Sequence, residues 1–230
     1  MYAKCNSSNF IAMQKVNLHN NEAPIFGISR LRLGTDGAGV TTLVTFMGCP
    51  LKCKYCLNKI CHESVFKSDG NISKENVKLL TPQKLYDKVK IDNIYFCATG
   101  GGICFGGGEP ALQWKFIKAF RGICGDKWRI TIETCLHYPE DVVRKLSEVI
   151  DFWIVDIKSL DAETYNSYTG VMPIYLNRNL EILLNLVSKE KITIKVPLIP
   201  RFNDENKTRL SIKRMLSMGF ENVEQVDYTI

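Results

Sequence analysis

Short runs of β-branched and aromatic residues alternate with stretches of helical period along most of this chain, and this alternation limits its possible folds more than any other feature. The predicted strands are Ile25–Leu33, Val40–Met47, Ile103–Phe105, Arg129–Glu133, Phe152–Ile157, Ile192–Leu198 and Val223–Tyr228. The predicted helices are 82–90, Leu112–Ile123, Pro139–Val149, Tyr175–Ser188 and Asn206–Met218. Strands that alternate with helices pair as right-handed βαβ units, so the sequence predicts an α/β fold with a mostly parallel, open sheet. About six main strands are too few to close an eight-stranded barrel, which favours a partial (β/α)6 barrel.

The length of the chain predicts one folded domain. With 230 residues, 45% of them hydrophobic, the chain is long enough to bury a core as a single α/β unit. Residues 1–24 are polar and lack a clear period, so we expect an irregular N-terminal lead-in before a domain that spans residues 25–230. Residues 58–80 are also expected to be irregular, and Ile94–Ala98 to form a short strand or a loop.

The composition argues against secreted, membrane-spanning and nucleic-acid-binding proteins. The first residues lack the apolar run of a secretory signal, and no segment is apolar over the length that a membrane span needs. Nine cysteines in such a chain favour reduced thiols or metal ligands over disulfides, and hence a cytoplasmic location with no membrane partner. The net charge of +6 is spread over the predicted helices, which favours solvated helix faces over a nucleic-acid surface.

Three cysteines lie within eight residues, at Cys49, Cys53 and Cys56. This spacing is typical of a [4Fe-4S] cluster with three protein ligands, which leaves the fourth iron open for a further ligand. Such an open position indicates catalysis, by analogy with catalytic zinc sites. Two alternatives remain, namely a zinc knuckle that takes Cys61 or His62 as its fourth ligand, and chance clustering.

Polar residues also follow several predicted strands. The glycine run that ends in Glu109 is expected to form a tight turn whose backbone lies close to a small polar ligand. Asp156 and Lys195 lie within apolar strands, where a charge must be paired or must face a polar cavity, so each is either a site residue or half of a structural ion pair. The three histidines are expected in surface loops, and most cysteines outside the motif are expected to be buried like small hydrophobic residues.

Taken together, these motifs resemble those of the radical S-adenosylmethionine (SAM) enzymes, most closely the glycyl-radical-enzyme activating enzymes of the pyruvate formate-lyase activase group. The resemblance runs from about Ile25 to Asp204. It rests on Cys49-x3-Cys53-x2-Cys56 with Tyr55, on Gly107-Gly108-Glu109-Pro110, on Glu133-Thr134, on Asp156-Ile157-Lys158 and on the segment 197–204.

The resemblance implies a role for each matching residue. Cys49, Cys53 and Cys56 would ligate the [4Fe-4S] cluster, whose open iron would bind the amino and carboxylate groups of SAM. The methionine amino group would be held by Gly107, Gly108 and Glu109. The remaining implied cofactor-binding residues are Tyr55, Glu133, Thr134, Asp156, Lys158 and Lys195. Among these, Glu133, Thr134 and Asp156 match a region that in this group binds a monovalent cation. Lys158 would reach the methionyl carboxylate or the reaction zone as a catalytic residue. Lys195 stands where arginine is usual.

The implied reaction is reductive cleavage of SAM to methionine and a 5′-deoxyadenosyl radical, which abstracts hydrogen from a glycine of a partner glycyl radical enzyme. A flavodoxin- or ferredoxin-type protein is the implied electron donor. The group's Pro-Tyr-His-like segment has no match in 226–230, so contacts to adenine are not assigned. Two other readings remain open. One is a radical SAM enzyme that acts on a small molecule or peptide, such as a 7-carboxy-7-deazaguanine synthase type, and the other is a non-catalytic metal-binding module.

Overall fold

The protein is a mixed α/β structure built on one eight-stranded sheet. The computed structural model describes residues 21–67, 72 and 75–228. The strands are β1 (Ala23–Leu33), β2 (Val40–Phe46), β3 (Lys78–Leu80), β4 (Gly102–Gly107), β5 (Arg129–Thr134), β6 (Phe152–Asp156), β7 (Ile192–Leu198) and β8 (Asn222–Asp227). The order across the sheet is β3-β1-β2-β4-β5-β6-β7-β8.

Six of these strands are parallel and lie side by side in the order in which the chain forms them, namely β2, β4, β5, β6, β7 and β8. Strands β1 and β3 add an antiparallel edge beside β2. The sheet is open and mostly parallel, which confirms the predicted α/β fold with six main parallel strands. Because all six parallel strands point the same way, their carboxyl ends meet along one edge of the sheet.

Within the part of the chain that the structure describes, the connections between the parallel strands contain seven α-helices. These are α1 (Pro82–Val89), α2 (Asn93–Thr99), α3 (Trp114–Cys124), α4 (Glu140–Ser147), α5 (Ala162–Thr169), α6 (Leu176–Leu186) and α7 (Glu205–Met218). Local sequence signals begin and end several of them. Thr81 accepts a hydrogen bond from the Lys84 amide at the start of α1, and Asp204 does the same for the Lys207 amide at the start of α7. Glycine in the left-handed region ends α5 at Gly170 and α7 at Gly219.

Three local predictions were wrong or incomplete. Ile94–Ala98 belongs to the helix α2, not to a strand or loop, because Phe96 packs into the core while its neighbours stay exposed. The segment expected to be irregular, 58–80, contains a 3-10 helix at Lys59–His62 and the edge strand β3. Helix α5 was missed because its sequence has weak amphipathic character and many polar residues. The irregular lead-in predicted for residues 1–24 lies almost entirely outside the described residues.

The core lies between the sheet and its helices. Aromatic side chains fill it, with Phe46 stacked on Phe105 at 5.4 Å between ring centroids and Phe96 edge-on to Trp128 at 5.1 Å. Within the described residues, none of the helices combines the length and the apolar character needed to span a bilayer.

Candidate active site

The carboxyl ends of the parallel strands open onto a cavity of about 300 Å³. Every residue that the sequence singled out for the site lines this cavity: Cys49, Cys53, Tyr55, Cys56, Gly107, Gly108, Glu109, Glu133, Thr134, Asp156, Lys158 and Lys195. These residues come from β4, β5, β6, β7 and the loop after β2. The structure therefore brings the predicted residues together, while the role of each one stays a prediction.

The cysteine loop follows β2 and is fixed by backbone hydrogen bonds to two neighbouring segments. The amides of Lys52 and Lys54 donate to the carbonyls of Thr169 (2.8 Å) and Tyr168 (3.1 Å), at the end of α5. The Gly48 amide donates to the Cys61 carbonyl at 2.8 Å. This loop therefore has a defined path, although it has no strand or helix of its own between residues 47 and 58.

The three motif thiols have different surroundings. Hydrogen bonds from Cys135 and Cys61 hold the pKa of Cys49 well below its usual value, and a hydrogen bond from Cys61 together with one from His62 lowers the pKa of Cys56 to about 5. Burial raises the pKa of Cys53 to about 12. Two of the three sulfurs are thus stabilised as thiolates, the form that binds metal, before any metal is bound.

The glycine run after β4 packs against the start of the cysteine loop. The Gly108 amide donates to the Phe46 carbonyl (2.9 Å) and the Glu109 amide to the Gly48 carbonyl (2.8 Å). A Cβ atom on Gly108 would lie 2.1 Å from the Gly48 carbonyl oxygen, so only glycine fits there. The side chain of Asn58 adds a second connection, since its amide donates to the Gly107 carbonyl at 3.0 Å.

Glu109 is buried beneath this run, with 1% of its surface exposed. Its Oε1 accepts hydrogen bonds from the Ala111 amide (3.0 Å) and the Thr134 hydroxyl (2.9 Å). Its Oε2 accepts from the amide (2.9 Å) and the thiol (3.0 Å) of Cys135. Burial raises the pKa of Glu109 to about 7, against the opposing effect of the Cys135 hydrogen bonds. Four protein donors already engage its two oxygens, so Glu109 ties the glycine run to the end of β5.

Asp156 and Lys158 form an ion pair at the end of β6, and the Tyr228 hydroxyl completes the group. Tyr228 lies 3.3 Å from both the Asp156 Oδ2 and the Lys158 Nζ. Burial alone would lower the pKa of Lys158, but attraction by Asp156, Tyr228 and Cys53 outweighs it and raises that pKa. The second oxygen of Asp156, Oδ1, is buried without a hydrogen-bond partner among the described residues. A carboxylate oxygen without a partner at a cavity wall can bind a cation or accept a hydrogen bond from a ligand.

A second ion pair joins Lys195 on β7 to Glu133 on β5, with 3.1 Å between Nζ and Oε1. This pair reaches across β6, since Lys195 is in register with Asp156 on that strand. Asp156 and Lys195 are therefore each half of an ion pair, and both also line the cavity.

Several residues at the site were missed or misplaced by sequence reasoning. His137 was expected on the surface, but it is 5% exposed and packs between Tyr165 and Tyr175, because the loop after β5 turns inward. Burial lowers the pKa of His137 to about 4. Cys135 is buried as expected, yet its thiol donates to Glu109. The cavity wall also includes Tyr168 and Tyr228, which no local motif marks. Cys5 and His19 lie outside the described residues.

Comparison with known proteins identifies the family. The family model of the radical SAM superfamily matches residues 43–210, which is most of the chain. This chain belongs to the radical SAM superfamily. Radical SAM enzymes use a [4Fe-4S] cluster and SAM, so the enzyme class and the two cofactors that the motifs implied are confirmed.

Curated relatives of this radical SAM enzyme are activating enzymes. The (2S)-3-sulfopropanediol sulfolyase activating enzyme of Bilophila wadsworthia is 26% identical, and the match covers 79% of this chain and 76% of the relative. The choline trimethylamine-lyase activating enzyme of Oleidesulfovibrio alaskensis is also 26% identical, and that match covers 80% of this chain and 74% of the relative. These matches support the predicted resemblance to the activase group.

Among solved structures, Streptococcus suis SuiB bound to S-adenosylmethionine matches with a TM-score of 0.59 and 15% identity. The match covers 82% of this chain but only 40% of SuiB, so the radical SAM chain described here spans about two fifths of that protein. At this level of identity the likeness concerns the fold alone, and it agrees with the partial barrel.

The residues of the cavity fit both radical SAM cofactors. Three thiols reach one cavity from one loop, and hydrogen bonds favour the thiolate form at Cys49 and Cys56. In the same cavity, the Asp156 Oδ1 atom, which is buried without a partner among the described residues, and the Lys158 ammonium offer one acceptor and one cation to an amino-acid moiety. The cysteine loop suits the cluster, and the ends of β4 to β6 suit SAM.

Proposed function

We propose that this radical SAM enzyme activates a partner glycyl radical enzyme by abstracting hydrogen from a glycine of that partner. The observation that carries the proposal is the convergence of the three motif cysteines, the glycine run and the Asp156–Lys158 pair on one cavity. The choice of substrate class is supported by the curated relatives, whose names identify them as activating enzymes.

In this proposal Cys49, Cys53 and Cys56 hold the cluster, and the strand ends hold SAM. Lys158 remains protonated because Asp156 stabilises its charge, and it therefore presents a cation to the methionyl carboxylate. Glu109 holds the glycine run in place, because its four hydrogen bonds keep that backbone fixed beside the cluster loop. Glu133, Thr134 and Asp156 are proposed to hold a monovalent cation near that carboxylate. When bound, the cluster and SAM supply one-electron cleavage of the sulfonium bond and the radical that abstracts hydrogen.

We also propose that the electron donor is a flavodoxin- or ferredoxin-type protein of the cytoplasm. Supporting observations are the exposed lysines Lys52, Lys54 and Lys59 beside the cluster cysteines, which suit an acidic partner. The cytoplasm is proposed because nine cysteines in one chain suit a reducing compartment, where thiols stay free for metal ligation. A Lys52→Glu/Lys54→Glu variant should slow reduction by flavodoxin and leave reduction by dithionite unchanged, as measured by loss of cluster absorbance.

The test of the main proposal is anaerobic reconstitution with iron, sulfide, reductant and SAM, followed by EPR of candidate partner enzymes. We expect a glycyl radical signal on one of them, together with release of 5′-deoxyadenosine. Cys53→Ala should abolish both, because one iron of the cluster loses its ligand. The matched control is Cys97→Ala, since Cys97 is exposed on α2 and does not line the cavity.

The outcomes separate the substrate classes. If 5′-deoxyadenosine release depends on a metabolite or peptide and no partner acquires a glycyl radical, the activase assignment is wrong and the enzyme acts on that molecule. If Cys53→Ala still cleaves SAM, the ligand assignment is wrong.

A further inference from the structure

A second set of metal ligands overlaps the cluster motif. The sulfurs of Cys56 and Cys61 and a ring nitrogen of His62 lie within 4.8 Å of one another. We propose that Cys56, Cys61 and His62, the zinc set, bind a single Zn²⁺ ion when the cluster is absent.

The donor chemistry supports zinc. Zinc is bound in tetrahedral geometry by thiolate and imidazole ligands, and two cysteines with one histidine hold it in sites whose fourth position is taken by water. Zinc binding requires the thiol protons to leave, so loading this site releases protons from those cysteines that are not already thiolates. The binding needs no electron donor or acceptor.

The local backbone places these donors before any metal is bound. The 3-10 helix Lys59–His62 turns Cys61 inward, where it is 2% exposed, and leaves His62 at the surface. Hydrogen bonds fix this helix at both sides, since the Cys61 carbonyl accepts from the Gly48 amide (2.8 Å) and the Cys61 amide donates to the Asn58 carbonyl (2.9 Å).

Zinc and the cluster exclude each other in this arrangement. Cys56 belongs to both ligand sets, whereas Cys49 and Cys53 belong only to the cluster set and Cys61 and His62 only to the zinc set. The loop therefore has two metal states, and occupation by zinc blocks assembly of the cluster. Since His62 is exposed, the zinc set is open to metal from solvent.

The assignment of the cluster set rests on the proposed function, but the two sets are tested by different variants. The metal-free full-length chain is prepared anaerobically with a chelator and titrated with Zn²⁺ against a chromophoric competitor. Co²⁺ is used in parallel, because its thiolate charge-transfer and d–d absorption reports sulfur ligands and tetrahedral geometry. We expect one equivalent of each metal to bind, and preloaded Zn²⁺ to prevent uptake of iron and sulfide during reconstitution.

Single substitutions separate the two metal states. Cys61→Ala and His62→Gln should each weaken zinc binding at least about 10-fold, while Cys53→Ala should leave it unchanged and lose the cluster. His62→Gln should still take up the parent's amount of iron and sulfide. His62 is exposed, so this variant keeps the test valid if Cys61→Ala does not fold.

Two results would overturn the zinc proposal. Either Co²⁺ binds without thiolate charge-transfer absorption, or Cys53→Ala weakens zinc binding as much as His62→Gln does. Retention of the cluster by Cys53→Ala would instead count against the proposed function and leave the zinc result standing.

Discussion

The two ends of the parallel sheet hold their aspartate side chains in opposite ways. At the amino end, Asp92 is fully buried, with Arg30 bonded to both of its oxygens and the Thr42 hydroxyl 3.1 Å from Oδ2. Asp36 is likewise held by Arg32 and Thr41. Each of these carboxylates is covered by protein donors.

At the carboxyl end, by contrast, one aspartate lacks part of its hydrogen bonding. Asp156 shares one oxygen with Lys158 and Tyr228, while its other oxygen has no partner among the described residues. Since a buried polar atom without a partner costs free energy, it persists where a ligand completes it. The difference indicates that the amino end stabilises the fold and the carboxyl end is prepared for a ligand.

The largest effect is expected from Asp156→Asn, which keeps the volume of the side chain and removes its charge. The rate of SAM cleavage should fall about 100-fold, because a preorganised charge at the reaction site is lost and Lys158 loses its partner. Release of 5′-deoxyadenosine at saturating SAM measures this. An unchanged rate would show that the open oxygen of Asp156 has no role at the site.

His137 tests whether a buried group at the carboxyl end can be purely structural. Its pKa of about 4 lies below the usual value, so the unfolded chain binds more protons than the folded chain between about pH 6.5 and 4. The free energy of unfolding should therefore decrease as the pH is lowered through this window. His137 should account for about 2.5 kcal/mol of the decrease between pH 7 and 4.5.

Urea unfolding of the metal-free protein at both pH values measures this contribution. The variant His137→Gln should remove it, and His62→Gln, at an exposed histidine, should not. An equal pH dependence in the parent and in His137→Gln would contradict the prediction.

At the amino end, Asp92→Asn should lower the free energy of unfolding by about 2 kcal/mol, since charge-assisted hydrogen bonds to Arg30 are lost. The Arg30 side chain is 44% exposed, so water replaces part of the interaction. SAM cleavage at 20 °C should stay at the parent rate. If Asp92→Asn lowered the activity without lowering the stability, the assignment of the amino end to fold stability would be wrong.

The smallest effect is expected from Tyr228→Phe, which removes only a hydroxyl. Its two contacts of 3.3 Å are long, so we expect about a fivefold loss in SAM cleavage, the equivalent of about 1 kcal/mol. The phenylalanine ring keeps the packing against Tyr168. If Tyr228→Phe lowered the rate of SAM cleavage as much as Asp156→Asn does, the Tyr228 hydroxyl would be as important at the site as the Asp156 charge.

Much of the fold could be predicted because its signals are local. β-Branched runs such as 192–198 and caps such as Asp204 act within a few residues, and the observed bounds of β7 and α7 agree with the prediction to within one residue. Helix α2 could not be predicted in this way, since its apolar residues gave no clear period and packing of Phe96 decided its conformation.

The site was predicted as a set of residues but not as a set of interactions. The sequence marked Glu109 and Thr134 separately, yet it gave no sign that Thr134 and Cys135 would hold the Glu109 carboxylate across 25 and 26 positions of chain. It also placed His137 at the surface, because the inward turn of the loop after β5 depends on contacts with Tyr165 and Tyr175.

The sequence by itself determined the alternation of strands and helices, and with it a mostly parallel α/β sheet, and also the cluster spacing of Cys49, Cys53 and Cys56, since both depend on residues close in the chain. Only the tertiary structure decided the charge pairing. Asp156 and Lys195 are in register on neighbouring strands, yet Lys195 pairs with Glu133 two strands away, while Asp156 pairs with Lys158 beyond the end of its own strand. Those partners depend on strand register and on the curvature of the sheet, which are properties of the assembled sheet and not of any single segment.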